Sequence, residues 1–143
     1  MKLECLRLSY TRLSLCHFLR TNMADVVLVG KDWQARALLR AQLIEEGVEV
    51  EAHETVAELG TAPVHPHPTA EFPKLLIADL FASDDPKADL DRLAGWAKRL
   101  PVWIIVGHSV VSGYKLEGRG FEAILYRPVD LHDLVERIKQ RTR

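Results

Sequence analysis

The stretch PKLLIADL, residues 73–80, contains four apolar residues in succession and ends them abruptly at the carboxylate of Asp79. An apolar run that does not alternate with polar residues is typical of a strand covered on both faces, as in a parallel sheet with helices above and below. In such sheets ligands bind just outside the carboxyl ends of the strands. Asp79 is at that position, so it is the first candidate site residue. The alternative is that Asp79 only caps the following turn, since Asp often accepts hydrogen bonds from nearby backbone N–H groups.

Four other segments also have strand character. Residues 26–29 and 102–106 are continuous apolar runs, and residues 123–126 form a shorter one. Residues 48–52 alternate strictly between apolar and acidic side chains. This alternation predicts a strand with one solvated face at an edge of the sheet.

Helical segments separate these strands. Three of them are predicted to begin at the N-cap residues Asp32, Asp85 and Asp130, and the pattern Thr55-x-x-Glu58 is a capping box for another. A short helix is also expected within residues 110–116. The apolar faces predicted for the two long central helices are Leu38, Leu39 and Leu43 in the first, and Leu90, Leu93, Ala94, Ala97 and Leu100 in the second.

Strands and helices therefore alternate along the chain, with connections too long for hairpins. Right-handed crossovers between parallel strands place one five-stranded sheet between two helical layers. Because the polar second strand belongs at an edge, the order 2-1-3-4-5 is favoured. The sequence predicts an α/β, three-layer, doubly wound fold of the flavodoxin-like type. This fold supports many functions, so the function must be argued from the site.

Length and charge limit the class of protein further. The 143 residues suffice for one domain, and residues 1–22 carry a net charge of +3 while the remainder carries −4. A mildly acidic body argues against nucleic acid as the principal partner. No apolar run approaches the ~20 residues that span a bilayer. We therefore expect a cytoplasmic protein without a membrane segment.

The amino-terminal region is interpreted separately. Residues 1–22 are predicted to be an extension upstream of a domain that spans residues 23–143; the alternative is a flexible or partner-binding arm. Cys5 and Cys16 have no metal-ligand spacing, and a disulfide is not expected in a reducing cytoplasm. His65-x-His67 is interpreted as part of a solvated loop, since no third metal ligand is near in sequence.

Several short motifs at the strand ends resemble one family. Asp79-Leu80 follows the third strand, Pro101-Val102 opens the fourth, and Gly120 precedes a fifth strand that ends in Arg127-Pro128. Over about residues 24–141 the chain resembles a response-regulator receiver domain of the CheY-like superfamily. The resemblance implies that Asp79 stands where the family accepts a phosphoryl group from a histidine kinase. It also implies a cis peptide bond before Pro128.

The residues around Asp79 depart from the family pattern. Phosphorylating a carboxylate requires Mg²⁺ to neutralise the incoming oxygens, and the family supplies two further acids directly after the first strand. Those positions are Gly30 and Lys31 here, and Asp32 lies one residue too late. We therefore expect no cofactor and no metal. Mg²⁺ binding by Asp32 and Asp79 belongs only to the phosphoacceptor alternative.

The residues on the other side of the predicted pocket also differ from the family pattern. Where the family has a Thr or Ser at the end of the fourth strand, this chain has Val106, followed by Gly107. Where the family has a lysine, this chain has Arg127, followed by Pro128. With the metal lost, Lys31 and Arg127 are cations near Asp79 that can pair with it permanently; the alternative for Lys31 is that it points to water. This hypothesis replaces the Mg²⁺ ion by a permanent ion pair that fixes one conformation.

Three functions follow from these residues. The first is a non-enzymatic receiver-like signalling module, independent of phosphorylation, whose partner is a histidine kinase, another signalling protein or a second copy bound through the last helix and its neighbours. The second is a working phosphoacceptor receiver, with residual autophosphorylation from a phosphodonor. The third is a small-molecule binder or hydrolase using His108, Ser109 and Asp79. Nucleic acid and membrane are not expected as partners.

Overall fold

The computed structural model describes residues 24–60 and 72–143. The strands in this part of the chain are β1 (Val26–Gly30), β2 (Val50–His53), β3 (Leu75–Asp79), β4 (Val102–Val106) and β5 (Ala123–Tyr126). The helices are α1 (Trp33–Glu45), a short 3₁₀ helix (Val56–Leu59), α2 (Pro86–Ala97), α3 (His108–Gly113) and α4 (Leu131–Thr142).

All five strands are parallel and form one sheet in the order β2-β1-β3-β4-β5. The predicted fold class and strand order are therefore confirmed. In the register of the central strands, Gly30 lies beside Asp79 and Asp79 lies beside Ile105. The carboxyl ends of β1, β3 and β4 are thus level, and the residues that follow them meet at one edge of the sheet.

Alternate residues of each strand enter two separate cores. One face of the sheet packs on α2, α3 and the 3₁₀ helix, and the other packs on α1 and α4. Neighbours in β3 show the division, because Leu76 joins the first core and Ile77 the second. The continuous apolar runs that predicted strands covered on both faces are explained by these two layers.

The three predicted aspartate N-caps all form. Asp85 accepts a hydrogen bond from the N–H of Ala88 at 3.1 Å, and Asp130 accepts one from the N–H of Asp133 at 2.9 Å. Asp32 caps α1 in the same way. These local signals could be found in the sequence because a cap and the N–H group that donates to it are only two or three residues apart.

The capping box predicted at Thr55 does not form. Thr55 makes no side-chain capping bond, and Glu58 turns back to the N–H of Glu54 and to His53. The segment is a single 3₁₀ turn that ends at Gly60, whose φ is +71°. Glu58 is the N3 residue of this turn, but its carboxylate binds His53 and the N–H of Glu54 instead of the N–H of Thr55 that a capping box requires.

Two predictions about buried faces were also wrong. Leu38 is 53% exposed, whereas Leu39 and Leu43 of the same helix are buried. In α2 the fully buried residue that the predicted face omitted is Trp96, whose indole N–H donates to the carbonyl of Gly60 at 3.3 Å. The partner that satisfies this indole lies 36 residues away, so local periodicity could not find it.

Some predictions concern residues outside the described ranges. These are the extension at residues 1–22 with Cys5 and Cys16, and the loop that contains His65 and His67. In the described ranges no helix has the length and apolar character needed to cross a membrane.

Candidate functional site

Asp79 is the last residue of β3, with β1 on one side and β4 on the other. The neighbouring residue of β1 is Gly30, and a Cβ built there would lie 3.3 Å from the Cβ of Asp79. Glycine therefore allows the two strand ends to approach closely. A larger residue at position 30 would have to push the Asp79 side chain aside.

Two groups hold the carboxylate of Asp79. The Nη2 atom of Arg127 donates to Oδ2 in an ion pair, and the N–H of Phe81 donates to Oδ1 at 3.0 Å. Both interpretations of Asp79 are correct in geometry, because it caps the following turn and also lies at the mouth of the sheet. Its side chain is only 19% exposed, so the pair is partly shielded from water.

Several contacts hold the side chain and backbone of Arg127 in place. Its guanidinium carbon lies 4.6 Å from the centre of the Phe81 ring, and its backbone N–H donates to the carbonyl of Val106 at 3.0 Å. The peptide bond to Pro128 is cis, as the resemblance implied. Contact with an aromatic face and with a carboxylate suits the planar guanidinium better than an ammonium group.

The residues at the end of β4 complete this wall of the site. Val106 is fully buried in the core on the α2 side and offers no hydroxyl group at the rim. Gly107 lies beside Arg127, since a Cβ there would be 3.9 Å from the Arg127 Cδ. The wall next to Asp79 therefore has a guanidinium and an apolar strand end.

The expected pair between Lys31 and Asp79 does not form, so that half of the ion-pair hypothesis was wrong. Lys31 instead pairs with Asp84, in the loop after β3, whose side chain is 84% exposed. The physical reason is that Arg127 already neutralises Asp79. An exposed carboxylate offers Lys31 a partner at a lower desolvation cost.

The carboxylate of Asp32 also has hydrogen-bond partners of its own. Its Oδ1 atom accepts hydrogen bonds from the N–H groups of Gln34 at 3.1 Å and Ala35 at 3.2 Å. Its negative charge lies at the start of α1, where the helix dipole favours it. Asp32 therefore serves α1 at the position from which the phosphoacceptor alternative would recruit Mg²⁺.

These residues do not fit a Mg²⁺ ion. Gly30 has no side-chain oxygen, Lys31 brings a positive charge, and the Asp79 carboxylate is bound by a guanidinium. Mg²⁺ requires several oxygen ligands in octahedral geometry. Within residues 24–60 and 72–143, no group of three or more His, Cys, Asp or Glu side chains is arranged to hold a metal ion.

The residues of the hydrolytic alternative, His108, Ser109 and Asp79, do not form a catalytic triad. His108 and Ser109 are exposed at the start of α3. In the described part of the chain neither forms a hydrogen bond with Asp79, whose carboxylate is bound by Arg127 and Phe81. A nucleophile, a base and an orienting acid must be joined by hydrogen bonds to act together.

One cluster of ionisable residues was missed by the sequence analysis. His53, at the end of the edge strand β2, has Nε2 3.3 Å from Oε1 of Glu51 and Nδ1 3.3 Å from Oε2 of Glu58. The carboxylate of Glu51 close to the imidazole raises the pKa of His53 above its ordinary value, with Glu58 acting in the same direction and burial opposing it. Alternation within β2 places Glu51 and His53 on one face, but the position of Glu58 depends on the 3₁₀ turn.

No protein-family model matches the sequence, and no curated protein does. Solved structures do match. A CheY-like receiver domain protein from Methanospirillum hungatei JF-1 has a TM-score of 0.63 at 22% identity, covering 83% of this chain and 93% of that one. A receiver domain protein from Clostridium thermocellum has a TM-score of 0.62 at 17% identity, covering 83% of this chain and 94% of that one.

The receiver domain of the hybrid histidine kinase CckA has a TM-score of 0.56 at 24% identity, covering 82% of this chain and 98% of that one. All three similarities are below 25% identity, so what they show is the fold. This chain has the fold of response-regulator receiver domains, and its site differs from the family pattern at the positions described above.

Proposed function

We propose that this chain is a receiver-like signalling module, spanning residues 23–143, that acts through protein interaction and does not depend on phosphorylation of Asp79. The observation that carries the proposal is the ion pair between Asp79 and Arg127. Arg127 supplies next to the carboxylate the positive charge that a receiver would otherwise obtain from a metal ion. Phosphoryl transfer would have to break this pair before an anionic donor could approach.

The rest of the site supports the same proposal. Lys31 and Asp84 form a separate pair, and Asp32 is used as the cap of α1. Val106 offers no hydroxyl to a phosphoryl oxygen. We therefore assign the module no cofactor, no metal and no enzymatic activity.

The proposed partner is a cytoplasmic signalling protein, such as a histidine kinase, or a second copy of the chain. Support for the kinase comes from the receiver domain of a hybrid histidine kinase that has the same fold. The proposed contact face consists of α4 with its neighbours β5 and α3. On this face Tyr126 is 52% exposed and Val111 is 42% exposed, so apolar surface is available for burial against a partner.

Beryllofluoride, which mimics a phosphoryl group on a carboxylate, tests the proposal directly. We expect that beryllofluoride with millimolar Mg²⁺ leaves the backbone amide NMR signals of Asp79, Phe81 and Arg127 unchanged. The physical reason is that Arg127 already holds the Asp79 carboxylate, and no Mg²⁺ ion would lie between that carboxylate and the anionic beryllofluoride.

The variant Asp79→Asn serves as the control for this titration. Signal changes that saturate in the original protein and vanish in Asp79→Asn would contradict the proposal and establish a phosphoacceptor site. Changes that persist in Asp79→Asn would report adsorption elsewhere on the surface, and the proposal would stand.

A further inference from the structure

A cavity of about 130 Å³ lies on the side of the sheet that faces α1 and α4. Its floor is formed by strand residues Leu28, Ile77 and Ile105, and its walls include Leu39 of α1 and Leu134 of α4. These side chains are buried and apolar. An engineered apolar cavity of roughly 150 Å³ holds a benzene molecule, so this cavity is close to the size that a body of about six carbons needs.

The mouth of the cavity is at the carboxyl ends of the strands, and it is polar. Gly30, Asp32, Arg36, Asp79 and Arg127 all line it. Asp79 and Arg127 pair with each other, and the negative charge of Asp32 is directed at two backbone N–H groups at the start of α1. Among the described residues, Arg36 is the cation at this mouth that has no carboxylate partner.

Arg36 is held in place but not neutralised. Its Nη1 atom donates to the carbonyl of Gly30, in a partly buried contact that keeps the guanidinium at the rim of the cavity. In residues 24–60 and 72–143 no carboxylate forms an ion pair with Arg36. A guanidinium has five N–H donors, so the others are free to bind a planar anion such as a carboxylate.

We propose that this cavity binds a small monocarboxylate with an apolar body of about six carbons, its carboxylate on Arg36 and its body among Leu28, Ile77 and Ile105. The shape of the site supports this class of ligand, since the apolar volume lies inside and a guanidinium without a carboxylate partner in the described residues lies at the opening. The inference goes beyond the interaction module described above, and either can fail without the other. The ligand would give the module an input that does not involve phosphorylation.

Benzoate is the probe for this site, with benzyl alcohol and acetate as comparisons. We expect saturable NMR shifts of the methyl groups of Leu28, Ile77 and Ile105, with a benzoate dissociation constant on the order of 1 mM. Benzyl alcohol lacks the charge and acetate lacks the apolar body, so both should bind about tenfold more weakly. Absence of saturable shifts with benzoate at tens of millimolar would overturn the proposal.

Two pairs of variants on α1 test separately how the charge and the cavity contribute to benzoate binding. Arg36→Gln should weaken benzoate binding about tenfold, whereas Arg40→Gln, exposed one turn further along, should leave it unchanged. Leu39 is a buried residue of the cavity lining, so Leu39→Phe should abolish binding by filling the cavity, whereas Leu38→Phe, at an exposed position outside the lining, should not. Thermal unfolding of each variant confirms that it is folded.

Two outcomes would contradict the assignment. Equal benzoate affinity in Arg36→Gln and the original protein would show that the carboxylate is not bound by Arg36. Unchanged affinity in Leu39→Phe would show that benzoate binds outside the cavity.

Discussion

Arg127 and Lys31 are two cations near one carboxylate, and only one of them binds it. Arg127 reaches Asp79 across the carboxyl end of the sheet and packs its guanidinium on Phe81, while Lys31 turns to Asp84 in the next loop. The difference in burial determines what each pair contributes. The Arg127 pair is partly shielded from water, whereas the partner of Lys31 is largely solvated.

This difference predicts unequal effects of matched substitutions. Arg127→Gln should lower the free energy of unfolding by about 1–3 kcal/mol, because the partly buried Asp79 carboxylate loses its charged partner. Lys31→Gln should change it by less than about 0.5 kcal/mol, as expected for an exposed pair. Urea unfolding measures both. Equal effects of the two variants would show that the Asp79 pair is no more stabilising than a surface pair.

His53 predicts a pH dependence of stability. Its pKa in the folded protein is raised above the ordinary value of 6.5, first by the nearby carboxylate of Glu51 and then by the hydrogen bond with Glu58. The protonated form therefore stabilises the folded state. This contribution is fully present below about pH 6.5 and is lost as the pH rises through the pKa of the folded protein.

We expect the free energy of unfolding to fall as the pH is raised above about 6.5, and the variant His53→Gln to lack this fall. Glu58→Gln should lower the pKa of His53, as measured by NMR titration of the imidazole. His132, which is exposed on α4, provides the control, since His132→Gln should keep the pH dependence. A His53 pKa at or below 6.5 would refute this prediction.

At the scale of secondary-structure elements, Asp32 contributes to the start of α1 and not to a metal site. Asp32 lies one position later than the acids of the receiver pattern, and this shift makes it the N-cap of α1. Its Oδ1 atom satisfies two backbone N–H groups that the first turn of the helix would otherwise leave unpaired.

The capping role predicts a difference between two substitutions. Asp32→Ala should lower the free energy of unfolding by about 1 kcal/mol, whereas Asp32→Ser should recover most of that loss, since serine caps helices nearly as well as aspartate. Chemical unfolding of the two variants tests this. If serine were as destabilising as alanine, the carboxylate would be required for a reason other than capping.

At the scale of the whole molecule, the ends of the sheet are tied to the helices by polar contacts as well as by the two cores. Near the start of β5, Glu122 accepts both an indole N–H from Trp103 at 2.8 Å and a bidentate contact from Arg141 of α4 at 2.7 Å. The hydrogen bond from Arg141 lowers the pKa of Glu122. These contacts connect α4 to the sheet, so the proposed contact face is anchored to the core.

Measuring self-association tests the proposed contact face of α3, β5 and α4. The double variant Tyr126→Ser/Val111→Ser should weaken dimer formation, because it removes exposed apolar side chains from the face formed by α3, β5 and α4. Trp33→Ser is the matched control, since Trp33 is 65% exposed but lies on α1. Light scattering after size exclusion measures the mass. A larger loss of dimer in Trp33→Ser would place the contact on α1.

The sequence alone determined the strands, their order and the starts of the three helices capped by aspartate. Continuous apolar runs such as residues 75–78 and caps such as Asp32 and Asp130 depend on spacings of a few residues, so they can be found without a structure. The position of Asp79 at the end of a central strand followed from the same local pattern.

Only the tertiary structure decided which groups the site residues meet. The choice of Arg127 over Lys31 as partner of Asp79 joins residues 48 positions apart, and the burial of Trp96 depends on a carbonyl 36 positions away. The His53 cluster and the cavity beside Arg36 likewise require elements to be placed against one another. Local periodicity specifies which side of an element is apolar, but pairing energies depend on distance and burial, and these exist only once the layers have packed.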